Sequence, residues 1–460
     1  MTGARRAWTW VTPPTSAASL QVFDMEIQQL ERAPLGALHP YARNARTHSR
    51  RQIDMIAKSI QQFGFTNPVL VDDDLMIIAG HGRVAAARKL KLDDVPIVRL
   101  SNLSEADKRA YILADNRLAE KAGWDKDLLA FELQGLIDLG FEVELTGFET
   151  AEIDIVLADA AESDAKAAST AEDALPPPTE AAVSRLGDCW RLGRHRVICG
   201  DARDAGAYDA LLAGETARLA FTDPPYNVPV AGHVRTGEGH REFPMASGEM
   251  SSAAFQTFLE TALTRIASVC RDGALVYVCM DWRHMGELLA AGAAALTELK
   301  NLCVWAKTNG GMGSFYRSQH ELVFVFKHGK APHVNTIDLG RTGRNRTNLW
   351  TYAGVNVFKA DRSEELAMHP TVKPVALVED AIKDASRRGD IVLDPFGGSG
   401  TTLIAAERCG RTARLIELDP LYVDAIVARF TRYTGKPATL QATGQAFEAV
   451  AQSRAQSHVA

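Results

Sequence analysis

The chain has 460 residues, too many for a single hydrophobic core, so two or three domains are expected. With 46% hydrophobic and 23% charged residues, the composition is that of a globular protein and excludes a disordered or fibrous chain. The net charge of −6 does not indicate a uniformly basic nucleic-acid binder, although an average can hide a local basic stripe.

Targeting and redox signals are weak throughout the chain. No apolar run reaches the length of a membrane span, and residues 1–20 lack the apolar centre of a signal peptide. We therefore expect a flexible leader on a cytoplasmic protein. The six cysteines form no C-x-x-C pair, which favours buried free thiols in a reducing compartment and predicts no metal site.

The first organised block, residues 21–150, is expected to be a small α+β domain. Ser49 precedes a helix with apolar spacing, and two short strands then lead to Gly80-His81-Gly82-Arg83 at the start of a second helix. Backbone N–H groups and a guanidinium at a helix start can hold an anion. A tight structural turn with a surface arginine is the commoner reading of so short a motif.

These residues resemble the ParB/sulfiredoxin-like domain, in which a glycine–arginine turn binds nucleotide phosphates. The resemblance covers about the first third of the chain and implies a nucleotide site at Gly80, Gly82 and Arg83. ParB partition proteins usually carry an acidic residue where His81 stands, so nucleotide hydrolysis is not expected. No helix-turn-helix is evident after this block.

Composition divides the rest of the chain. Within residues 151–183, a stretch rich in Ala, Glu, Asp and Ser ends in three prolines at 176–178, which predicts an acidic, flexible and then stiff linker. Residues 184–434 alternate predicted strands and helices, the pattern of a doubly wound sheet. Residues 435–460 are expected to be a fraying tail or a loose helix.

The larger domain is organised around Asp223-Pro224-Pro225-Tyr226. An apolar lead-in predicts a buried strand, and the two prolines end it because proline cannot donate to a strand ladder. A carboxylate, the Pro224 carbonyl and an aromatic ring then lie at a strand's carboxyl end, where open α/β sheets bind ligands. Together they can hold a planar base that carries an exocyclic amine. The structural alternative is a turn-capping aspartate with a packed tyrosine.

A second strand, residues 391–394, runs into a glycine-rich turn that contains Gly398 and Gly400 and opens a helix. Leu403 stands where the dinucleotide fingerprint needs its last glycine, which weakens a nicotinamide reading. Glu417 ends the following strand about twenty residues past the turn, where an acid holds ribose hydroxyls. A cofactor without phosphates that uses a glycine turn and a ribose acid is S-adenosylmethionine.

Both motifs resemble those of amino-group DNA methyltransferases, which methylate adenine N6 or cytosine N4. The resemblance covers about residues 186–433, and the motif order matches the family's β-type permutation. It implies an α/β fold with a Rossmann-like, doubly wound, mostly parallel sheet and S-adenosyl-L-methionine as cofactor. The implied catalytic residues are Asp223, Pro224, Pro225 and Tyr226. The implied cofactor-binding residues are Asp201, His369, Thr371, Lys373, Asp394, Phe396, Gly398, Gly400 and Glu417.

A basic stretch follows the catalytic motif and includes a polar insert at about 328–368, where we expect target recognition. A run of charge is more often only a solvated face. The candidate DNA contacts are Lys307, Arg317, Arg341, Arg344, Arg346 and Asn348.

The sequence therefore predicts a site-specific DNA methyltransferase, with double-stranded DNA as partner and no membrane association. Asp223 favours adenine, because the family leans to adenine with Asp and to cytosine with Ser at this position. The alternatives are a cytosine N4 enzyme, an RNA methyltransferase, or a nucleotide-gated ParB-like DNA-binding protein with an inactive methylase domain. The sequence leaves open a homodimer, the target site and a partner nuclease.

Overall fold

A computed structural model describes residues 29–121, 123–164, 181–228, 245–307, 315–337, 344–352 and 372–456. The chain divides into two compact units. The first unit comprises Met1–Trp124 with Leu145–Gly147, and the second comprises Asp125–Glu144 with Phe148–Ala460. The predicted leader, residues 1–20, lies outside the described residues.

The first unit contains a five-stranded sheet in the order β1-β5-β3-β4-β2. Its strands are β1 Leu30–Pro34, β2 His39–Pro40, β3 Val69–Val71, β4 Met76–Ala79 and β5 Asp94–Arg99. Its helices are α1 Arg50–Phe63, α2 His81–Lys89 and α3 Glu105–Lys121. The predicted cap of α1 is confirmed, because the Ser49 hydroxyl accepts the Gln52 N–H at 3.1 Å.

The second unit begins with helices α4 Lys126–Asp138 and α5 Thr150–Asp164 and continues into a ten-stranded sheet. Its strands are β6 Cys189–Leu192, β7 His195–Cys199, β8 Ala217–Thr222, β9 Cys270–Met280, β10 Glu298–Lys307, β11 His320–Lys327, β12 Leu349–Tyr352, β13 Ile391–Asp394, β14 Thr412–Glu417 and β15 Ala438–Leu440. Its remaining helices are α6 Ala205–Leu212, α7 Ser252–Val269, α8 Met285–Ala295, α9 Val375–Ala385, α10 Thr401–Arg408, α11 Pro420–Thr434 and α12 Phe447–Gln456.

The strand order in this sheet is β12-β10-β11-β9-β8-β13-β14-β7-β6-β15. Its centre, from β9 to β7, is parallel, while β11 on one side and β6 on the other run antiparallel to their neighbours. Side chains alternate between two buried clusters: Leu219 and Phe221 face one side of β8, and Ala220 faces the other. The predicted doubly wound, mostly parallel α/β fold is confirmed.

Three boundaries differ from the sequence prediction. The predicted linker at 151–183 starts with a helix, because α5 extends to Asp164. The predicted tail at 435–460 is part of the domain, since β15 pairs with β6 and Val450 of α12 is buried. Part of the predicted insert at 328–368 belongs to the sheet, because β12 pairs with β10.

Helix α5 is anchored by a buried ion pair that composition could not reveal. The Asp154 carboxylate receives two bonds from the Arg411 guanidinium, at 3.0 and 2.9 Å, and a third from Arg388 at 3.3 Å. Asp154 and Arg411 are both buried. Removing one member of such a pair leaves the charge of the other buried without a partner, which costs free energy. The pair therefore stabilises the packing of α5 on the sheet domain.

All six cysteines are buried and free, as predicted. Among the helices of the described ranges, none combines the length and the apolar character that crossing a membrane would require.

Candidate active site

Strand β8 carries Asp223 to the carboxyl edge of the parallel sheet. Its apolar residues are buried because both faces of the sheet are covered, β9 and β13 pair with its two edges, and the buried Pro224 ends it. Asn227 fixes the chain just beyond: its side-chain amide donates to the Met250 carbonyl at 2.8 Å and accepts the Gly248 and Met250 N–H groups. The Asp223–Tyr226 motif is therefore fixed by strand β8 before it and by the Asn227 hydrogen bonds after it.

An ion cluster surrounds Asp223. The Lys373 ammonium lies 2.6 Å from Asp223 Oδ2 and 2.9 Å from Glu321 Oε2, so one lysine joins two carboxylates. Glu321 also pairs with Lys307 through its other oxygen. The Lys373 side chain is only 4% exposed, so these interactions take place away from bulk solvent.

The charges in this cluster are unequal. Burial raises the pKa of Asp223 above its ordinary value, although the Lys373 ammonium opposes this. Burial acts on Glu321 in the same direction, but Lys373 and Lys307 outweigh it and lower the pKa of Glu321 to about 2. Burial disfavours charge on Lys373, yet the two carboxylates raise its pKa above the usual value. Glu321 is therefore the fixed negative charge of the cluster.

Tyr226 turns its hydroxyl toward these carboxylates. Its O–H donates to Asp223 Oδ1 at 2.6 Å and lies 3.3 Å from Glu321 Oε2. Lys373 Nζ is 5.4 Å from the centroid of the ring, within cation–π range. Burial, and then the negative charge of Asp223, raise the pKa of Tyr226, which keeps the hydroxyl protonated as a donor.

Asp394, at the end of β13, links the two motifs. Its carboxylate accepts the hydroxyl of Thr222, the residue before Asp223, at 3.1 Å, and that of Thr402 in α10 at 2.6 Å. The Phe396 N–H adds a third bond at 3.2 Å. Burial raises the pKa of Asp394 to about 7, against the effect of these hydrogen bonds.

The glycine turn is hydrogen-bonded to Glu417. Gly398 and Gly400 have φ of +51° and +81°, a backbone conformation that favours glycine. The Gly398 N–H donates to Glu417 Oε2 at 2.7 Å, and the Asp419 N–H donates to Oε1 at 2.8 Å. Burial raises the pKa of Glu417 to about 7 despite these bonds.

One cavity is bounded by both motifs. Its lining includes Asp223, Lys373, Asp394, Phe396, Gly398 and Thr402. The two strand ends that the sequence placed at one sheet edge therefore face a common space. Lys373, expected beside the cofactor motif, lies in this lining but directs its ammonium toward Asp223. His369 and Thr371 lie outside the described residues.

Asp201 lies beyond the end of β7, beside the strand that carries Glu417. The Gly200 N–H donates to the Glu417 backbone carbonyl at 2.9 Å, which joins the two strand ends. The Asp201 carboxylate pairs with Arg203 at 2.6 Å, and this side-chain hydrogen bond is the largest cause that lowers its pKa. Asp201 therefore shares the sheet edge with Glu417.

The candidate DNA contacts separate into two groups. Arg344 and Arg346 are wrong as phosphate contacts, because only 10% and 18% of their side chains are exposed and both pair with Asp380 and Asp384 of α9. Asn348 is exposed and donates its side-chain amide to the Leu302 carbonyl at 3.2 Å.

Arg317 is exposed, whereas Lys307 is partly exposed and holds Glu321. Arg341 lies outside the described residues.

Aromatic side chains stand in solvent beside Arg317. Phe315 is 85% exposed and Tyr316 is 80% exposed, with ring centroids 4.4 Å apart. They precede β11, whose second residue, Glu321, is in the ion cluster. At the end of β9, Trp282 is also exposed and lies under the Arg283 guanidinium at 4.9 Å. This edge of the sheet thus presents aromatic and cationic groups.

Sequence reasoning missed Glu321 as a member of the site. Its one signal was a carboxylate at the start of an otherwise apolar strand, and a strand end gives no indication of the lysines that meet it. Glu321 comes to Asp223 because β11 pairs with β9, with Leu322 opposite Met280, and β9 pairs with β8.

In the first unit, the Gly80 turn starts α2. Gly80 has φ +105°, and the Arg83 guanidinium folds back to donate to the Asn67 carbonyl at 3.1 Å. Burial lowers the pKa of Arg83 from its ordinary value. His81 Nε2 lies 3.3 Å from the Tyr41 N–H. Gly80, Gly82 and Arg83 thus lie together at one helix start.

Comparison with protein families supports this division of the chain. A DNA methylase model for N6 and N4 enzymes matches residues 217–428, and a ParB N-terminal domain model matches residues 20–117. A ParB-methyltransferase HTH domain model matches residues 127–186, which include α4 and α5. The expectation that no helix-turn-helix follows the first block is therefore wrong.

Individual relatives each match a part of the chain. The ParB-like nuclease domain-containing protein YnaK of Escherichia coli (strain K12) is 57% identical over 76 residues, 16% of this chain and 87% of the relative. The type II methyltransferase M.HpaI of Haemophilus parainfluenzae is 26% identical over 245 residues, 50% of this chain and 72% of the relative. The crystal structure of the M1.HpyAVI-SAM complex is 22% identical, covers 51% of this chain and 97% of its own, and has a TM-score of 0.38.

The fold and the family models together define a DNA methylase domain preceded by ParB-related domains. The chain carries an N6/N4 DNA methylase domain and a ParB-like N-terminal domain in the same polypeptide.

Proposed function

We propose that this chain transfers a methyl group from S-adenosylmethionine to the exocyclic amine of a base extruded from duplex DNA, with adenine N6 as the preferred target. The observation that carries the proposal is the cavity bounded by both Asp223 and the Gly398 turn. The bond between Thr222 and Asp394 fixes the two strand ends next to each other. Donor and acceptor can thus meet without a large movement of the sheet.

The residues around the glycine turn fit S-adenosylmethionine. Glu417 is buried and acidic at a strand end, where it can accept ribose hydroxyls, and Phe396 adds an aromatic side chain to the cavity. The lysine in the lining is engaged by carboxylates, so the described lining suits a ligand without phosphates. When bound there, this cofactor supplies a methyl group on a positively charged sulfur. Gly398, Gly400 and Glu417 would hold it, with Asp201 nearby.

Asp223 and the Pro224 carbonyl would accept the hydrogens of the target amine. Two such acceptors orient the amine and direct its lone pair toward the cofactor site. The half-buried Tyr226 ring, whose hydroxyl donates to Asp223, would stack on the base. Asp223 then acts by orientation and by its negative charge, and removing its side chain removes both.

Arg317 and the neighbouring aromatic side chains are the best-exposed groups for DNA near this edge. An arginine contacts phosphates, while exposed rings such as Phe315 and Tyr316 can stack on bases next to the extruded one. These contacts are sequence-tolerant, so they support binding to DNA without defining its target sequence.

The preference for adenine rests on Asp223 itself, because the resembling enzymes lean to adenine with Asp in this position. The test is to sequence modified bases in DNA from cells that express the chain, with cells expressing the Asp223→Ala variant as the matched control. N6-methyladenine at a defined motif, absent from the control, is the expected result. N4-methylcytosine would keep the reaction and overturn the adenine assignment.

For the ParB-like domain we propose that Gly80, Gly82 and Arg83 bind the phosphates of a nucleotide. A helix start and a guanidinium favour negative groups. Calorimetric titration of the full chain with each nucleoside triphosphate should give binding that Arg83→Gln weakens at least about tenfold. Equal affinity in both proteins would overturn this site.

A further inference from the structure

Both oxygens of the Asp223 carboxylate are already engaged. Oδ1 accepts the Tyr226 hydroxyl at 2.6 Å, and Oδ2 pairs with the Lys373 ammonium at 2.6 Å. The proposed function requires an Asp223 oxygen to receive a hydrogen of the base amine. Each carboxylate oxygen can accept a further bond, so the base amine competes with these two donors for Asp223 when the base enters.

Glu321 provides a second acceptor for both donors. Its Oε2 atom lies 2.9 Å from Lys373 Nζ and 3.3 Å from Tyr226 Oη. A buried ammonium or hydroxyl that loses its acceptor costs free energy, and a nearby carboxylate removes that cost. Each donor can leave Asp223 by a small shift and remain bonded.

Glu321 is well placed to remain still while its partners move. It is the second residue of β11, a strand paired on both sides, and its side chain is 14% exposed. Its Oε1 atom is bound by Lys307, whose ammonium lies 4.7 Å from the Trp305 ring centroid. The acceptor is thus anchored by groups that do not touch Asp223.

We propose that Glu321 is a positioning residue that takes over the Lys373 ammonium and the Tyr226 hydroxyl when Asp223 turns to the target amine. The inference rests on the proposed function and assigns Glu321 no contact with the base. Without its carboxylate, Lys373 would keep Asp223 as its carboxylate partner within this cluster and would hold it away from the amine.

The test compares single-turnover methyl transfer by the wild-type chain with that of Glu321→Gln and Glu321→Asp. We expect Glu321→Gln to slow transfer about 10- to 100-fold, the effect of misplacing a reacting group, while the dissociation constants for S-adenosylmethionine and DNA stay within about twofold. Glu321→Asp keeps the charge with a shorter reach and should recover part of the rate.

Glu298→Gln is the matched control. Glu298 pairs with Lys300 at 3.0 Å on the surface of β10, the strand that is paired with β11, and it lies opposite Lys327 at the far end of the two strands. Its substitution should leave the transfer rate unchanged. Thermal unfolding of each variant separates a lost fold from a slow reaction, and if Glu321→Gln is unfolded, the comparison of Glu321→Asp with the wild type decides.

Several results would overturn the inference. One is a methyl-transfer rate equal to that of the wild type in folded Glu321→Gln. If Glu321→Gln is unfolded, the same rate in folded Glu321→Asp would overturn it. Another is a loss of affinity for DNA or S-adenosylmethionine that accounts for the whole fall in rate, because Glu321 would then bind substrate or cofactor. An inactive wild-type chain is a different outcome: it removes the proposed function, and this inference falls with it.

Discussion

Two sets of carboxylates lie at this sheet edge, each with one member in the cavity lining, and they are stabilised in different ways. Asp223 and Glu321 share the Lys373 ammonium, whereas Asp394 and Glu417 receive only hydroxyl and backbone N–H bonds among the contacts described above. Lysines lower the pKa of Glu321 to about 2, but burial raises the pKa of Asp394 and Glu417 to about 7.

The two sides of the cavity therefore differ in how they respond to pH. Glu321, which is paired with two lysines, stays charged at any physiological pH, whereas burial raises the pKa of Asp223 against the opposing effect of Lys373. A carboxylate that receives ribose hydroxyls needs acceptor oxygens more than a net charge. The cofactor side can respond to pH near neutrality, whereas Glu321 cannot.

Removing the shared cation should have the largest effect. Lys373→Met leaves two carboxylates close together with one lysine fewer, so we expect the free energy of unfolding to fall by about 3 kcal/mol and methyl transfer to drop at least 100-fold. Urea unfolding and single-turnover transfer measure the two effects. Lys300→Met, which removes the cation of an exposed ion pair, is the control and should change neither. An unchanged rate in Lys373→Met would contradict a role for the cluster.

The cofactor side is tested by Glu417→Gln. This change keeps the size of the side chain but replaces one acceptor oxygen with a donor, so affinity for S-adenosylmethionine should fall about 10- to 100-fold. Affinity for DNA should not change. Calorimetry for the cofactor and fluorescence anisotropy for DNA give the two values, and equal losses in both would show that Glu417 supports the fold rather than the cofactor.

The titration of Asp394 predicts how stability depends on pH. Its pKa of about 7 lies above the value near 4 of an unfolded chain, so the folded state binds more protons between these values. This stabilisation is complete below about pH 4 and is lost as the pH rises to about 7. The advantage of the wild type over Asp394→Asn in the free energy of unfolding should therefore shrink by about 2 kcal/mol between pH 5 and pH 8. A constant difference across that range would rule this titration out.

Substituting an exposed arginine and an ion-paired arginine should have different effects on DNA binding and on stability. Arg317→Gln should weaken DNA binding a few-fold and reduce the slope of log affinity against log salt by about 0.9. Arg346→Gln should leave that slope unchanged and lower the free energy of unfolding by about 2 kcal/mol, because the buried Asp384 and the partly exposed Asp380 each lose one of their two arginine partners. Fluorescence anisotropy at two salt concentrations and urea unfolding distinguish the two variants. A smaller salt slope in Arg346→Gln, with an unchanged slope in Arg317→Gln, would contradict the assignment of Arg317 to DNA and Arg346 to the fold.

The sequence indicated the strand ends well and the side-chain partners poorly. Asp223 and Gly398 follow apolar strands, and strand ends in a parallel sheet meet by topology, so their shared edge could be predicted. Arg344 and Arg346 were misjudged because their partners Asp380 and Asp384 lie more than thirty residues away, on a helix that local charge does not reveal. Glu321 was missed for the same reason.

Composition also misled at two boundaries. Helix α5 has the Ala- and Asp-rich composition of a linker, and what fixes it is the distant Arg411. The chain after Gly435 has the composition of a flexible tail, but its strand β15 pairs with β6 at the edge of the sheet. Both errors concern contacts made across more than two hundred residues, which no local pattern encodes.

Methyl transfer by the Asp223→Ala variant is the sharpest test of the proposed role of Asp223. The purified wild-type chain and the variant would receive S-adenosylmethionine labelled in its methyl group together with DNA from cells that lack the protein, and cofactor binding would be measured separately by calorimetry. We expect label on an exocyclic base amine with the wild type, none with Asp223→Ala, and unchanged cofactor affinity. Near-normal turnover by the variant would contradict it.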